Sequence, residues 1–189
     1  MTDNYKANDS IKGVRLAKEE DRTYISRLLY LTNVFGDETA DLPPVHRVDL
    51  PRYVENWSPL VDGGVIALSE MGVPAGGAWL RYFTYGPKGA AYMGAHDADP
   101  LDESQWATQY DPETIPELCI AVEGRYRGTG VGRMLLRNVC DLAAAQEAPA
   151  IALWVDANNA PARALYESEG FTDINVPGQD PGPMIKYFA

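Results

Sequence analysis

The sequence predicts an α/β domain built on a mixed sheet, with helices on both faces. Three observations carry that expectation. Two short runs, Glu117 to Val122 and residues 150–156, are apolar almost throughout, as in central strands of a sheet covered on both sides. Between them Val131, Met134, Leu135, Val139 and Leu142 recur at helical spacing, to about residue 148, and a strand–helix–strand unit implies a right-handed parallel crossover. Ahead of this unit lies a hairpin pattern, residues 65–68 and 77–85 around a turn at 71–74, which supplies antiparallel strands.

Taken in order, residues 1–12 are polar and aperiodic and are expected to form a mobile leader, leaving residues 13–189 as one domain. Residues 13–17 can form a first strand, after which Glu19, Glu20 and Asp21 place negative charge where a helix begins. Ile25, Leu28, Leu29, Thr32 and Phe35 then share one helical face, and Gly36 is a stop signal. The proline pair in residues 37–48 resists regular structure, and residues 50–57 read as a short helix with Pro51 in its first turn. In the hairpin, Trp79, Arg81, Phe83 and Tyr85 share one face while Leu80 and Tyr82 take the other.

Residues 86–115 form a long connection rich in Gly, Asp and Pro, which suits a lid or acceptor-recognition segment. Its acids Asp97, Asp99, Asp102 and Glu103 lack the spacing and closing glutamate of a calcium loop, so no metal is expected. Further on, Pro149 stops the long helix, Pro161 lies near the start of another at Ala160–Ser168, and Gly170 ends it. Residues 171–176 and 184–188 read as closing strands.

Composition narrows the partners. At 189 residues with 46% hydrophobic and 23% charged content, the chain has the make-up of a soluble globular protein. A net charge of −11 argues against nucleic acid, and the basic residues near 125–137 are a local patch on an acidic body. The two cysteines, Cys119 and Cys140, read as buried reduced thiols. With no charged-then-apolar leader and no run of membrane-spanning length, the expectation is a cytoplasmic protein without membrane contact.

The turn ahead of the long helix carries the chemistry. Gly128, Gly130 and Gly132 bring backbone N–H groups to a helix start, where the dipole favours an anion, and Arg125, Arg127 and Arg133 add positive charge. A Walker loop starting at Gly124 would need glycine where Thr129 stands, and a dinucleotide fingerprint starting at Gly128 would need glycine at Arg133. From these residues alone, a turn that merely permits tight bending stays equally open.

Arg127-Gly128-Thr129-Gly130-Val131-Gly132 resembles the pyrophosphate loop of the GNAT superfamily of acyl-CoA-dependent N-acyltransferases, in which Gln or Arg precedes two residues, Gly, one residue, then Gly or Ala. A frame from Arg125 also fits; the frame from Arg127 also places Leu135 and Leu136 at the family's leucine pair. A second match runs from Asn159 to Phe171, with Ala162, Leu165, Tyr166, Glu167 and Gly170 in register. The resemblance covers Glu117 to Phe171. One departure is Glu123-Gly124, where many relatives carry proline.

The resemblance implies a twisted mixed sheet whose central parallel strands splay apart to admit acetyl-CoA as co-substrate. Ile120 and Val122, with Ala121 between them, would bond the pantetheine arm, and Val122 N–H would polarise the thioester carbonyl. Arg127, Gly128, Thr129, Gly130, Val131, Gly132 and Arg133 would cradle the pyrophosphate, while Asn159 would hold the arm from the other side. Tyr166 would protonate the departing thiolate, and Glu117, with Glu123 as a second choice, would take a proton from the acceptor. Asp37, Glu38, Asp41 and His46 fall where the family lines its acceptor site, though a solvated loop is the role expected of each; neither His46 nor His96 is assigned to catalysis. The expected activity is direct acetyl transfer to a small-molecule or peptide amine, by a chain that pairs as a homodimer in many relatives. The rival readings are a non-catalytic acyl-CoA sensor or scaffold on the same fold, and a nicotinamide oxidoreductase, which the glycine spacing disfavours.

Overall fold

A computed structural model describes residues 10–83, 89, 109–175 and 182–189. Strand β1 (Ile11–Leu16) is followed by a 3-10 turn, Glu19–Asp21, and helix α1 (Arg22–Asn33). Helix α2 (His46–Leu50) runs into a π-helical turn, Pro51–Glu55, before strands β2 (Gly64–Ser69) and β3 (Pro74–Arg81). Then come β4 (Glu117–Val122), a 3-10 turn at Gly124–Tyr126, α3 (Val131–Ala145), β5 (Ala150–Trp154), α4 (Ala160–Ser168), β6 (Thr172–Asp173) and β7 (Pro183–Tyr187). The strands form one sheet in the order β1-β2-β3-β4-β5-β7-β6. Among the described residues only β4 and β5 are parallel, and every other neighbouring pair is antiparallel.

Strand alternation divides the core between the two faces. Val65, Ala67, Ala78, Leu80 and Leu118 meet Leu135, Leu136, Val139 and Ala143 of α3. Ile66, Trp79 and Phe83 meet Ile25, Leu28 and Leu29 of α1, together with Tyr53 and Trp57. The mixed sheet with helices on both faces is therefore the observed architecture, and Trp79 and Phe83 do lie opposite Leu80.

Several boundaries differ from the sequence reading. Strand β1 begins at Ile11, two residues inside the segment read as a leader; residues 1–9, Tyr85, His96 and most of residues 86–115 lie outside the described residues. In α1 the buried residues are Ile25, Leu28, Leu29 and Leu31, whereas Thr32 and Phe35 face outwards, Phe35 at 62% exposure. The helix stops at Asn33, Phe35 turns left-handed (φ 51°), and Gly36 N–H caps the Leu31 carbonyl at 2.8 Å, so helical spacing no longer applies there. Leu31 is buried because the α2 segment covers a second flank of α1.

The second helix starts at His46, four residues before the expected Leu50. Pro43 and Pro44 sit just ahead of it, and their carbonyls accept the N–H groups of His46 and Arg47 at 3.0 and 3.2 Å. Prolines at a helix entrance forfeit only N–H groups that would lack an intrahelical partner anyway.

A buried ion pair ties this helical segment to the sheet. Arg81 Nη1 donates to Asp62 Oδ2 at 2.6 Å and its Nε to the Arg52 carbonyl at 2.5 Å. Asp62 also accepts the N–H groups of Ser58 (2.7 Å) and Tyr82 (3.0 Å). Both charged side chains are nearly inaccessible, at 7% and 2%. Asp62→Ala would strand the guanidinium, and is expected to lower the unfolding free energy by about 3–5 kcal/mol. Urea denaturation measures this, and an unchanged midpoint would show that the pair does not brace the fold.

Candidate active site

The site begins where the parallel pair comes apart. Strands β4 and β5 are paired at one position, Glu117 with Ala152, where Ala152 N–H reaches the Pro116 carbonyl at 3.0 Å. Beyond that contact the strands diverge around a cleft of about 730 Å³, walled by Ile120 and Val122 on one side and Leu153 and Val155 on the other. Glu123 N–H bonds the Ala75 carbonyl of β3 at 2.9 Å. Main-chain groups alternate along a strand, so those of Ala121 also face β3, and those of Ile120 and Val122 face the gap. A ligand extended along β4 thus meets donors and acceptors at Ile120 and Val122 that are unpaired among the described residues. Ala121 offers only its side chain.

At the cleft mouth the chain makes the glycine turn. Gly128 and Gly130 are left-handed, at φ 72° and 88°, and a Cβ at either would touch nothing within 4 Å. Backbone conformation, not crowding, therefore requires glycine there, and the space in front of the turn is open. Met134 N–H to the Gly130 carbonyl, at 3.1 Å, is the first bond of α3, so the N–H groups of Val131, Gly132 and Arg133 have no intrahelical partner. Thr129 spends its hydroxyl on the Tyr126 carbonyl at 2.5 Å.

The arginines divide. Arg127 lines the cleft and crosses to the end of α1, donating from Nη2 to the Gly36 carbonyl at 2.9 Å. Arg125 lies over the Tyr126 ring, 4.6 Å from its centroid. The side chain of Arg133 is drawn to α4, where it donates to Ser168 Oγ at 3.0 Å and pairs with Glu169, which also binds Arg137. Only the backbone of Arg133 belongs to the turn.

Asn159 caps α4, its Oδ1 accepting Ala162 N–H at 3.3 Å, and lines the far wall with its amide donors unpaired among the described residues. Tyr166, its ring tilted 58° to that of Phe171 with centroids 5.8 Å apart, lines the same cleft. Burial, and secondarily the Cys119 thiol nearby, push its phenol well above the ordinary tyrosine range, so it stays protonated. Cys119 is itself pushed up by burial and by Glu117, so it is no thiolate nucleophile.

Glu117 is 3% exposed and lines the cleft. A solvated strand-end carboxylate is thus not what the structure contains. Tyr53 OH donates to its Oε1 at 2.5 Å. Tyr53 is locked in turn, edge-on to Phe83 with centroids 5.9 Å apart, while its carbonyl accepts Trp79 Nε1–H at 2.8 Å. Gly89 presses on the same carboxylate, for a Cβ there would stand 1.9 Å from Oε2. Glu123 is placed differently: Arg27 grips both its oxygens at 2.8 and 2.7 Å and holds it below the usual carboxylate range. It is absent from the cleft lining.

The sequence reading missed Asp49. It lines the cleft at 8% exposure, and Asn33 Nδ2 donates to its Oδ2 at 2.8 Å. A carboxylate only accepts, so the Asn33 carbonyl faces His46, whose Nδ1–H donates to it at 2.8 Å. Burial pushes Asp49 above its ordinary range despite the bond from Asn33. The available signal was Asp49 standing four residues before Tyr53, on one helical face; starting the helix at Leu50 concealed it. Asp37 instead closes a turn on Thr39, Glu38 meets Arg27, and Asp41 is exposed. Among the described residues no cluster of His, Cys, Asp and Glu could hold a metal, and no helix is long and apolar enough to cross a membrane.

A split parallel pair with a helix N-terminus at its mouth suits a long ligand with an anionic end. The chain belongs to the acetyltransferase (GNAT) family, whose pattern matches residues 31–171. It is 31% identical over 117 residues to a mycothiol acetyltransferase of Beutenbergia cavernae, covering 61% of this chain and 37% of that one. Against the mycothiol acetyltransferase of Corynebacterium glutamicum (strain R) it is 34% identical over 76 residues, 40% of this chain and 26% of the relative. The chain thus spans well under half the length of either relative. Its fold is similar to that of yncA from Salmonella typhimurium, solved with its cofactor acetyl-CoA, with a TM-score of 0.60, 19% identity and 94% of both chains covered.

Asp49 also yields a stability test. Its folded pKa lies above the unfolded value, so its contribution to stability is present at low pH and lost as pH rises through the folded pKa. Asp49→Asn is expected to raise the melting temperature at pH 7, by an amount that shrinks as pH falls below the carboxylate range. Melting curves at pH 7 and pH 4 check this; a lower melting temperature at pH 7 would mean that the charge is compensated within the protein.

Proposed function

We propose that the protein is an N-acetyltransferase that moves acetyl from acetyl-CoA directly to a primary amine while both are bound. The observation that carries this reading is one cleft holding a protonated phenol, Tyr166, and a buried carboxylate, Glu117, beside main-chain groups of Ile120 and Val122 that are unpaired among the described residues. The turn from Arg127 to Arg133 is suited to the pyrophosphate through its backbone N–H groups, and the Asn159 amide to the arm.

In this reading Glu117, oriented by Tyr53, takes the proton of the incoming ammonium and passes it to water. The neutral amine nitrogen attacks the thioester carbon, and Val122 N–H stabilises the oxygen on which negative charge develops. As the C–S bond breaks, Tyr166 OH gives its proton to sulfur. The proton lost by the new amide nitrogen then restores the phenol through water. The side chains of Glu123 and Arg133 have no part, each being held in an ion pair outside the cleft.

Two outcomes test it. CoA or acetyl-CoA at ~100 times its dissociation constant is expected to add about 2.7 kcal/mol to the folded state. That shift should vanish in Gly130→Glu, which puts a carboxylate before the turn; no shift in the unaltered protein would remove the basis for an enzyme. Tyr166→Phe is expected to lower kcat by ~10²–10⁴-fold with little change in KM for acetyl-CoA. Binding of CoA without acetylation of any amine in a broad panel would instead favour a sensor or scaffold.

A further inference from the structure

Burying a carboxylate costs free energy unless its charge is compensated, and the cleft contains two such groups with different surroundings. Glu117 stands at the point where β4 and β5 part, engaged by Tyr53. Asp49 has only the neutral amide of Asn33 on Oδ2, and its Oδ1 has no partner among the described residues although the residue is 8% exposed. His46 and Arg52 bias its charge from nearby, but neither forms an ion pair with it. Nor is Asp49 left to swing: His46 orients Asn33, and Asn33 orients the carboxylate. The result is a fixed, buried anion with an oxygen free to meet a cation from the cleft.

The reacting amine is already served by Glu117, which in the reading above takes its proton where β4 and β5 part, so Asp49 is left for a second group. Asp49 therefore fits a group that stays charged throughout. We propose that the acceptor is an aliphatic diamine, whose second, non-reacting ammonium is held by Asp49 while its first is acetylated beside Glu117; this rests on the acetyltransferase reading above. Tyr53 supplies the spacing. It lies four residues after Asp49 on the same helical segment, close enough to feel the Asp49 charge, and its hydroxyl reaches Glu117. Leu29, Leu31 and Cys119 line the same cleft and offer apolar surface suited to a short alkyl chain.

The test compares 1,4-diaminobutane and 1,5-diaminopentane with 1-aminobutane and 1-aminopentane, matched in length but lacking the second charge. Calorimetry on the CoA-loaded protein gives binding, and initial rates with acetyl-CoA give kcat/KM. The diamines are expected to bind at least tenfold more tightly and to react with at least tenfold higher kcat/KM, and Asp49→Asn should bring the diamine-to-monoamine ratio close to one. Equal binding of the two series in the unaltered protein overturns the proposal without need of any variant, as does a ratio that Asp49→Asn leaves intact when melting curves show the variant folded. Monoamine turnover without diamine preference keeps the acetyltransferase reading and removes this one. Asp49-dependent diamine binding without turnover does the reverse.

Discussion

One ladder contact organises the molecule. Pairing between β4 and β5 stops after Glu117 and Ala152, and everything functional depends on the strands parting there. A continuous parallel ladder would have consumed the main-chain groups of Ile120 and Val122, and the sheet would have had no interior opening. The split is tolerable because each strand is secured on its other side: β4 by six register positions with β3, and β5 by five with β7. Helices α1 and α3 on opposite faces then close the sheet above and below the gap.

Around this gap charge is sorted by position. The mouth carries the glycine turn, the α3 N-terminus and Arg127, whereas the α1 side of the cleft carries Glu117 and Asp49. Ion pairs keep several neighbouring charges out of the cleft, for Arg27 takes Glu123, and Glu169 takes Arg133 and Arg137, while Asp156 after β5 also lines it. The same pairs join α1 to the exit of β4, and α3 to the end of α4. Exposed pairs of this kind contribute little stability singly, so their main effect is to direct side chains. Asp49 is the opposite case, a charge retained at a cost to the fold and opening onto the cleft.

What was readable from the chain alone was local or periodic. The limits of β4 and α4, the stop at Gly36, the glycine turn and the opposed faces of Trp79 and Leu80 all follow from spacing that operates within a few residues. Hydrophobic alternation also determined which elements must be central, because an apolar run cannot be left at a solvated edge without cost.

Tertiary structure decided whatever depended on residues far apart in sequence. Asp49 became a site residue because Asn33 and His46 meet beside it, and Glu117 became a buried acid because Tyr53, 64 residues away, lies against it. Leu31 was buried by a helix that spacing within α1 does not reveal. Arg125, Arg127 and Arg133 look equivalent in sequence, yet their partners Tyr126, Gly36 and Glu169 send the three guanidiniums in different directions. The sequence by itself determined a strand, a glycine turn and a helix in that order, since backbone conformation and apolar periodicity are properties of neighbours. Which carboxylate is buried, and which arginine faces the cleft, were decided only by packing, because burial and hydrogen-bond partners are properties of the assembled surfaces.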